Sequence, residues 1–304
     1  MSFGRIRNPV GRFNRTVRER MDKSVLLLLP MVLFLVGFFV IPFLLLIRMS
    51  LYEEASVGAF VEGTLTLDNF LLVFTDGFIR SLTVTTTTMA VIATLIVLVL
   101  GTYYAYALWQ SSGITKTILL TAMILPLLTT LVIKLYAWVI LLAPQGTINN
   151  ALVWTPLVTD PLPLLNNRFG AILGMVYVTL PYAALPIYAV MESMDKNVID
   201  ASRDLGAGRV RSVWEVVIPQ ALPGILVAAV VSWAWNFGAY TAPALLGGSP
   251  ERTLAIEAEH QLFSRFNWSR AAALSIAMLI VVIISVSIIA KVISRIGGGL
   301  DDVI

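Results

Sequence analysis

Long apolar runs separated by short polar segments dominate the chain. Six stand out, at about 25–47, 82–108, 117–142, 170–191, 222–246 and 271–293. Each is long enough to cross a hydrocarbon core of about 30 Å as an α-helix. The runs are continuous rather than alternating in polarity, which argues against the strands of a membrane barrel. The predicted fold class is all-α, a polytopic membrane protein with six transmembrane helices. The pattern divides the chain into a basic segment at 1–24, a transmembrane domain at 25–295, an inner loop at 192–223 and a tail at 296–304.

Composition agrees with this pattern. Of 304 residues, 58% are hydrophobic and 13% charged, where soluble domains carry about 25% charged residues. The mean hydropathy is +0.86. The first apolar run, Val25 to Ile47, is too long for a signal-peptide core and no small-residue cleavage site follows it. The arginine-rich start before it reads as a cytoplasmic flank rather than an organelle transit peptide.

Lysine and arginine placement predicts orientation. With the N-terminus inside, the four inner segments hold 7, 1, 4 and 2 basic residues, against 6 in the outer segments. Both termini are therefore expected in the cytoplasm. The outer segments 48–81, 143–169 and 247–270 read as loops mixing charges with Gly, Pro and Asn.

Candidate chemistry is sparse. There is no cysteine and only one histidine, so thiolate and multi-histidine metal sites are excluded. His260 with Glu257 and Glu259 is the only enzyme-like cluster, and it reads as a solvated face. No phosphate-binding G-x-x-x-x-G-K-[ST] loop is present. An ion-coupled secondary transporter would need acids or histidines inside the spans. None of the six predicted runs contains one.

The inner loop is the most organised polar segment. Helical character at Asn197–Leu205 is followed by Gly206 and Gly208, then by a second helical stretch at 209–217 that Pro219 and Pro223 close before the fifth span. This predicts a helix–turn–helix against the cytoplasmic face. Gly206 suits a left-handed turn, and small residues at Ala201, Ser202 and Ala207 permit close approach of a partner. Arg203, Asp204, Arg209 and Arg211 offer charge pairs at the rim. An ordinary amphipathic surface helix with a helix-ending glycine is the plainer alternative.

The order Asp200-Ala201-Ser202, three residues, Gly206, nine residues, Val216, one residue, Ile218-Pro219 resembles the cytoplasmic signature of ABC importer permeases. That pattern is Glu-Ala-Ala, three residues, Gly, nine residues, Ile, one residue, Leu-Pro. The spacing is kept; Asp, Ser, Val and Ile replace residues close in size or charge. The resemblance implies a type I importer permease fold with a coupling helix between spans four and five. It assigns ATPase coupling to Asp200, Ala201, Ser202, Arg203, Gly206, Arg209, Ile218 and Pro219.

Lys134-Leu135-Tyr136-Ala137-Trp138 and the run Ala239 to Gly248 resemble the spermidine/putrescine permeases, whose branch includes transporters of opines, phosphonates and other small solutes. By resemblance, a polyamine is the expected cargo and those solutes are the alternatives. The expected partners are an ABC ATPase dimer, a second homologous permease (or a second copy of this chain), a periplasmic binding protein and membrane lipid. Nucleic acid is not expected. The chain itself is expected to bind no cofactor, ATP and magnesium being used by the ATPase, and to lie in a bacterial inner membrane.

Substrate-pathway candidates come from the spans. Aromatic faces bind cations through the ring quadrupole, which singles out Tyr136, Trp138, Tyr177, Tyr182, Trp233 and Tyr240; Trp235 is also aromatic. Lys134 is the one clear charge within a span. It either snorkels or pairs structurally, or it serves substrate or gating, and it does not favour a cationic cargo. Asn236, predicted mid-span, is either helix-packing glue or cavity lining. Thr83–Thr88 reads as packing.

Overall fold

The computed structural model describes residues 28–54, 60–61, 63–155, 158–195, 197–204 and 206–297. The expected 1–24 segment and residues 298–304 of the expected tail lie outside them, as do Leu205 and the side chain of Arg209. Apolar runs without interior breakers become long helices, because an isolated backbone in lipid must satisfy its own hydrogen bonds. The first is α1 (Leu28–Ser50), which contains a π-helical turn at Val36–Val40. A short α2 (Asp68–Thr75) leads to α3 (Gly77–Gln110). Asp76 opens α3 by accepting the backbone N–H of Phe78 at 2.7 Å, a cap that satisfies an otherwise orphaned donor. Its 34 residues extend about 50 Å at 1.5 Å per residue.

The third predicted span is not one helix. It divides into α4 (Gly113–Leu128) and α5 (Leu131–Leu142). Thr129 and Thr130 between them are extended, with ψ of 141° and 144°. The break follows Pro126, whose ring cannot donate to the preceding turn, and falls on two β-branched residues. The short α6 (Thr147–Val153) follows α5. The apolar segment long enough to span here is Leu131–Val153, with Gly113–Leu128 a shorter helix before it. Six segments in the described residues are long and apolar enough to cross a membrane.

Helix α7 (Arg168–Glu192) remains helical through Pro181 and Pro186. It is the centre of the fold: 61% of its most apolar window is buried, against 0% for α1. The inner loop then forms α8 (Asn197–Asp204) and α9 (Arg209–Ser212). The prolines do not separate α9 from the fifth span. A π-helical turn at Val213–Val217 carries α9 directly into α10 (Ile218–Phe237). Pro219 lies at the start of α10, where its missing N–H costs little.

The fifth span also ends earlier than predicted. Helix α10 stops at Phe237, and Gly238–Tyr240 lead into a separate α11 (Thr241–Leu246). The expected outer loops are partly helical, with α2, α6 and α12 (Leu254–Phe263) inside them. Finally α13 (Trp268–Gly297) packs against α1 and α12. The only β pairing among the described residues is a single bridge, Glu53 to Val61.

The core lies where α3, α7 and α10 pack together. Met89, Ala93 and Val97 of α3 meet Met175, Ala183 and Ile187 of α7, with Ala221 and Ala228 from α10. Lipid tails are as apolar as these side chains, so dispersion and close approach must hold the helices together. At Gly224 a β-carbon would lie 2.8 Å from the Pro186 carbonyl oxygen and 2.9 Å from the Ile187 Cα. Only glycine lets α10 approach α7 so closely. The threonine-rich start of α3 binds backbone as expected: Thr86 Oγ1 donates to the Leu82 carbonyl at 2.8 Å. It also accepts the Leu254 N–H at 2.9 Å, tying α12 to α3.

Candidate functional site

Two places concentrate the sequence-derived candidates. The first is α8. Its Ile199 is buried in the core cluster that also contains Val217 and Ala221. Asp200, Ala201, Arg203 and Asp204 remain exposed. One helical turn is thereby anchored by a single apolar side chain and presents its opposite face outward.

Gly206 ends the helix with φ +88°. Its N–H donates to the Arg203 carbonyl at 2.8 Å, and the Ala207 N–H reaches the Ser202 carbonyl at 3.1 Å. This is the left-handed helix-ending motif in which two orphan carbonyls are satisfied. Ser202 and Ser212 join α8 to α9 through hydroxyls 2.7 Å apart, while Ser212 donates onward to the Gly208 carbonyl. Arg203 pairs loosely with Asp200 at 3.6 Å, and Arg211 with Glu215 at 2.9 Å. Both pairs are exposed and contribute little to stability. Ile218 is half-buried and Pro219 exposed at the start of α10. The continuous path from α8 through Ser202, Ser212 and the π-turn into α10 makes α8 a mechanical extension of the bundle.

The second place is a cavity of about 340 Å³ beside the α10–α11 break. Trp235, Asn236, Gly238 and Tyr240 line it, with Met175 of α7 and Leu131 of α5. Trp235 stacks on Tyr182 of α7 with ring centroids 4.9 Å apart. Asn236 is buried in the last turn of α10, not mid-span. Its Nδ2 donates to Thr94 Oγ1 of α3 at 3.2 Å, while its Oδ1 has no hydrogen-bond partner. Both roles expected of this residue, interhelix link and cavity lining, are therefore present in one side chain.

The remaining pathway candidates disperse. Trp233 faces α13, where its Nε1 donates to Ser285 Oγ at 2.6 Å. Trp138 and Tyr177 form an edge-on pair 5.5 Å apart. Tyr177 also lines a separate 170 Å³ cavity with Tyr104 and Pro126. Tyr136 is exposed on α5. Lys134 donates from Nζ to the Pro126 carbonyl at 2.8 Å, so its ammonium caps the carbonyl end of α4 across the break.

Sequence reasoning missed several residues. Thr94 is the partner of Asn236, and a lone threonine in an apolar run was its only signal. Glu257 is buried rather than solvated: its Oε2 lies 2.8 Å from Arg252 Nη2, and its Oε1 accepts from Gln261 Nε2 at 2.7 Å. The expectation of a solvated face fails because α12 packs this side of its turn against α13 and α3. At the end of the bundle nearest α8, Lys116 of α4 and Glu192 of α7 pair at 2.6 Å. Among the described residues no group of three or more His, Cys, Asp or Glu is placed to hold a metal ion.

Comparison with known proteins gives this geometry its class. Residues 55–297 match the family described as the binding-protein-dependent transport system inner membrane component. The spermidine/putrescine transport system permease protein PotB of Escherichia coli K12 is 30% identical over 247 residues, covering 81% of this chain and 89% of the relative. PotB of Haemophilus influenzae is 26% identical over 246 residues, covering 81% and 85%. A crystal structure of a bacterial ABC transporter involved in the import of the acidic polysaccharide alginate superimposes with a TM-score of 0.76 at 18% identity, covering 94% of this chain and 99% of that one. This likeness establishes the fold, the type I permease architecture of six membrane helices. With that fold, and with the family match spanning most of its length, the chain belongs to the family of inner-membrane components of binding-protein-dependent transport systems, as a multi-pass permease subunit of an ABC importer.

Proposed function

We propose that this subunit imports a small cationic solute of the polyamine class, driven by ATP hydrolysis in a separate subunit. The observation that carries the ATP-driven part is α8. It is a short helix beyond the spans, anchored by Ile199 and ended by Gly206 in a left-handed turn. Its exposed face, Asp200, Ala201, Arg203 and Asp204, is the docking surface for an ATPase dimer. Closure of that dimer on ATP pushes α8, and the Ser202–Ser212 link passes the motion to α10. ATP and magnesium act in the ATPase, and this chain binds neither.

Kinship with PotB at 30% identity supports the polyamine cargo. A second, homologous permease completes the pathway, and a periplasmic binding protein delivers the solute. A related fold has been solved in complex with an alginate pentasaccharide-bound periplasmic protein, which supports delivery of this kind. In this reading α8 and both termini face the cytoplasm.

Co-purification with the ATPase, the second permease and the binding protein tests the reading, followed by ATPase assays with candidate solutes. Putrescine or spermidine is expected to stimulate hydrolysis when the binding protein is present. Stimulation by a phosphonate or an amino-acid derivative alone would replace the cargo. Failure of any ATPase to associate would overturn the coupling role of α8.

A further inference from the structure

We infer that the cavity at the α10–α11 break recognises an ammonium group of the cargo through neutral groups: the Asn236 carbonyl oxygen and the aromatic rings of Trp235 and Tyr240. The inference rests on the polyamine reading above and assigns the residues that would read the cargo within the membrane.

Asn236 is 1% exposed. Its amide nitrogen is committed to Thr94, and its Oδ1 is buried without a partner. A buried acceptor left unpaired is costly, the more so where lipid replaces water. Asn236 belongs to the cavity wall, so a donor entering the cavity would complete its hydrogen bonding once a small turn of the side chain brought the buried Oδ1 to the space. Trp235 lines the same cavity, its ring stacked on Tyr182 with centroids 4.9 Å and planes 22° apart. Tyr240 adds a second aromatic ring to the lining. An ammonium near a tryptophan face is attracted by the ring quadrupole, most strongly where water is excluded.

The backbone adds to this preference. The cavity is bordered by Ala234 to Gly238, the C-terminal end of α10, where the aligned peptide dipoles favour positive charge. Among the described residues, none that lines the cavity is charged. Lys134 lies one turn along α5 from Leu131, but its Nζ is bound to the Pro126 carbonyl. A neutral acceptor and a π face hold an ammonium less tightly than a carboxylate would, which suits a site that must release its cargo.

The test uses the complete transporter in proteoliposomes with its binding protein. Uptake of radiolabelled putrescine and spermidine is measured beside a monocationic amino-acid derivative and an anionic phosphonate. Asn236→Leu and Trp235→Leu are each expected to lower cation uptake roughly tenfold. Asn236→Asp keeps an acceptor of the same shape and should retain uptake, and Trp235→Phe should fall between the wild type and Trp235→Leu. Ser285→Ala, which removes the hydrogen bond of Trp233 on another face of α10, is expected to leave uptake unchanged. A packing role for Asn236 alone predicts equal damage from Leu and Asp, and that result would overturn the assignment.

Polyamine uptake unaffected by every Asn236 and Trp235 variant would also overturn it, leaving the polyamine reading intact. If the wild type carries only the monocation and Asn236→Leu abolishes that, the polyamine reading falls and the ammonium site stands. Uptake of the phosphonate alone would overturn both, because the amide would then present its NH₂ to the cavity.

Discussion

At Gly206 a single dihedral angle decides whether α8 can turn back into the bundle. No heavy atom lies within 4 Å of the position a β-carbon would take, and φ is +88°. A substitution there is strained by its backbone alone, at a cost of about 1–2 kcal/mol, and is worse for a β-branched residue. Gly206→Val should therefore leave membrane yield unchanged and lower transport about tenfold or more, through weaker ATPase coupling. Gly206→Asn, which tolerates a left-handed backbone, should retain most activity. Transport assays beside quantitation of bound ATPase decide it, and a fully active Gly206→Val would remove α8 from the coupling path. The motif spacing marked this glycine, and the structure supplied the angle that makes it glycine.

At the scale of elements, interruptions place the chemistry. The break between α4 and α5 turns the ammonium of Lys134 onto the Pro126 carbonyl. The break between α10 and α11 opens the cavity beside Asn236. Lys134→Met would leave that carbonyl only the longer bond from the Thr129 N–H at 3.4 Å, at a cost of about 0.5–1.5 kcal/mol, while Lys134→Arg keeps a donor. The expected result is a lower unfolding temperature for Lys134→Met with an unchanged KM for cation uptake. A several-fold fall in KM would instead mean that the lysine charge repels the cargo directly. Neither break was read from the sequence, because hydropathy reports how apolar a segment is and not where its backbone leaves the helix. Pro126 with Thr129–Thr130, and Gly238 followed by Pro243, were the available signals.

In the whole molecule, α3, α7 and α10 carry the packing and α1 lies at the periphery with none of its apolar window buried. Gly224 sits at the closest approach of α10 to α7. Gly224→Ala would force backbone apart and should destabilise the subunit by about 1–3 kcal/mol. Gly208→Ala, where a β-carbon would meet open space, is the neutral control. Thermal unfolding of the purified complex separates the two, and equal stability would mean that the bundle accommodates the methyl group by a small shift.

What the sequence determined by itself was membrane residence, the number of spans and the position of the short helix α8 between the fourth and fifth of them. These follow from quantities that are local along the chain: the length of apolar runs and the spacing around Gly206. What only the tertiary structure decided was which side chains meet. Asn236 and Thr94 are 142 residues apart, and Glu257 is buried beside a half-buried Arg252 because α12 folds onto its neighbours. The aromatic candidates looked equivalent in sequence, but helix rotation sent Trp233 towards α13 and Trp235 towards the cavity. Two positions along a helix are about 200° apart around its axis, so residues adjacent in the list of candidates serve opposite faces of the bundle.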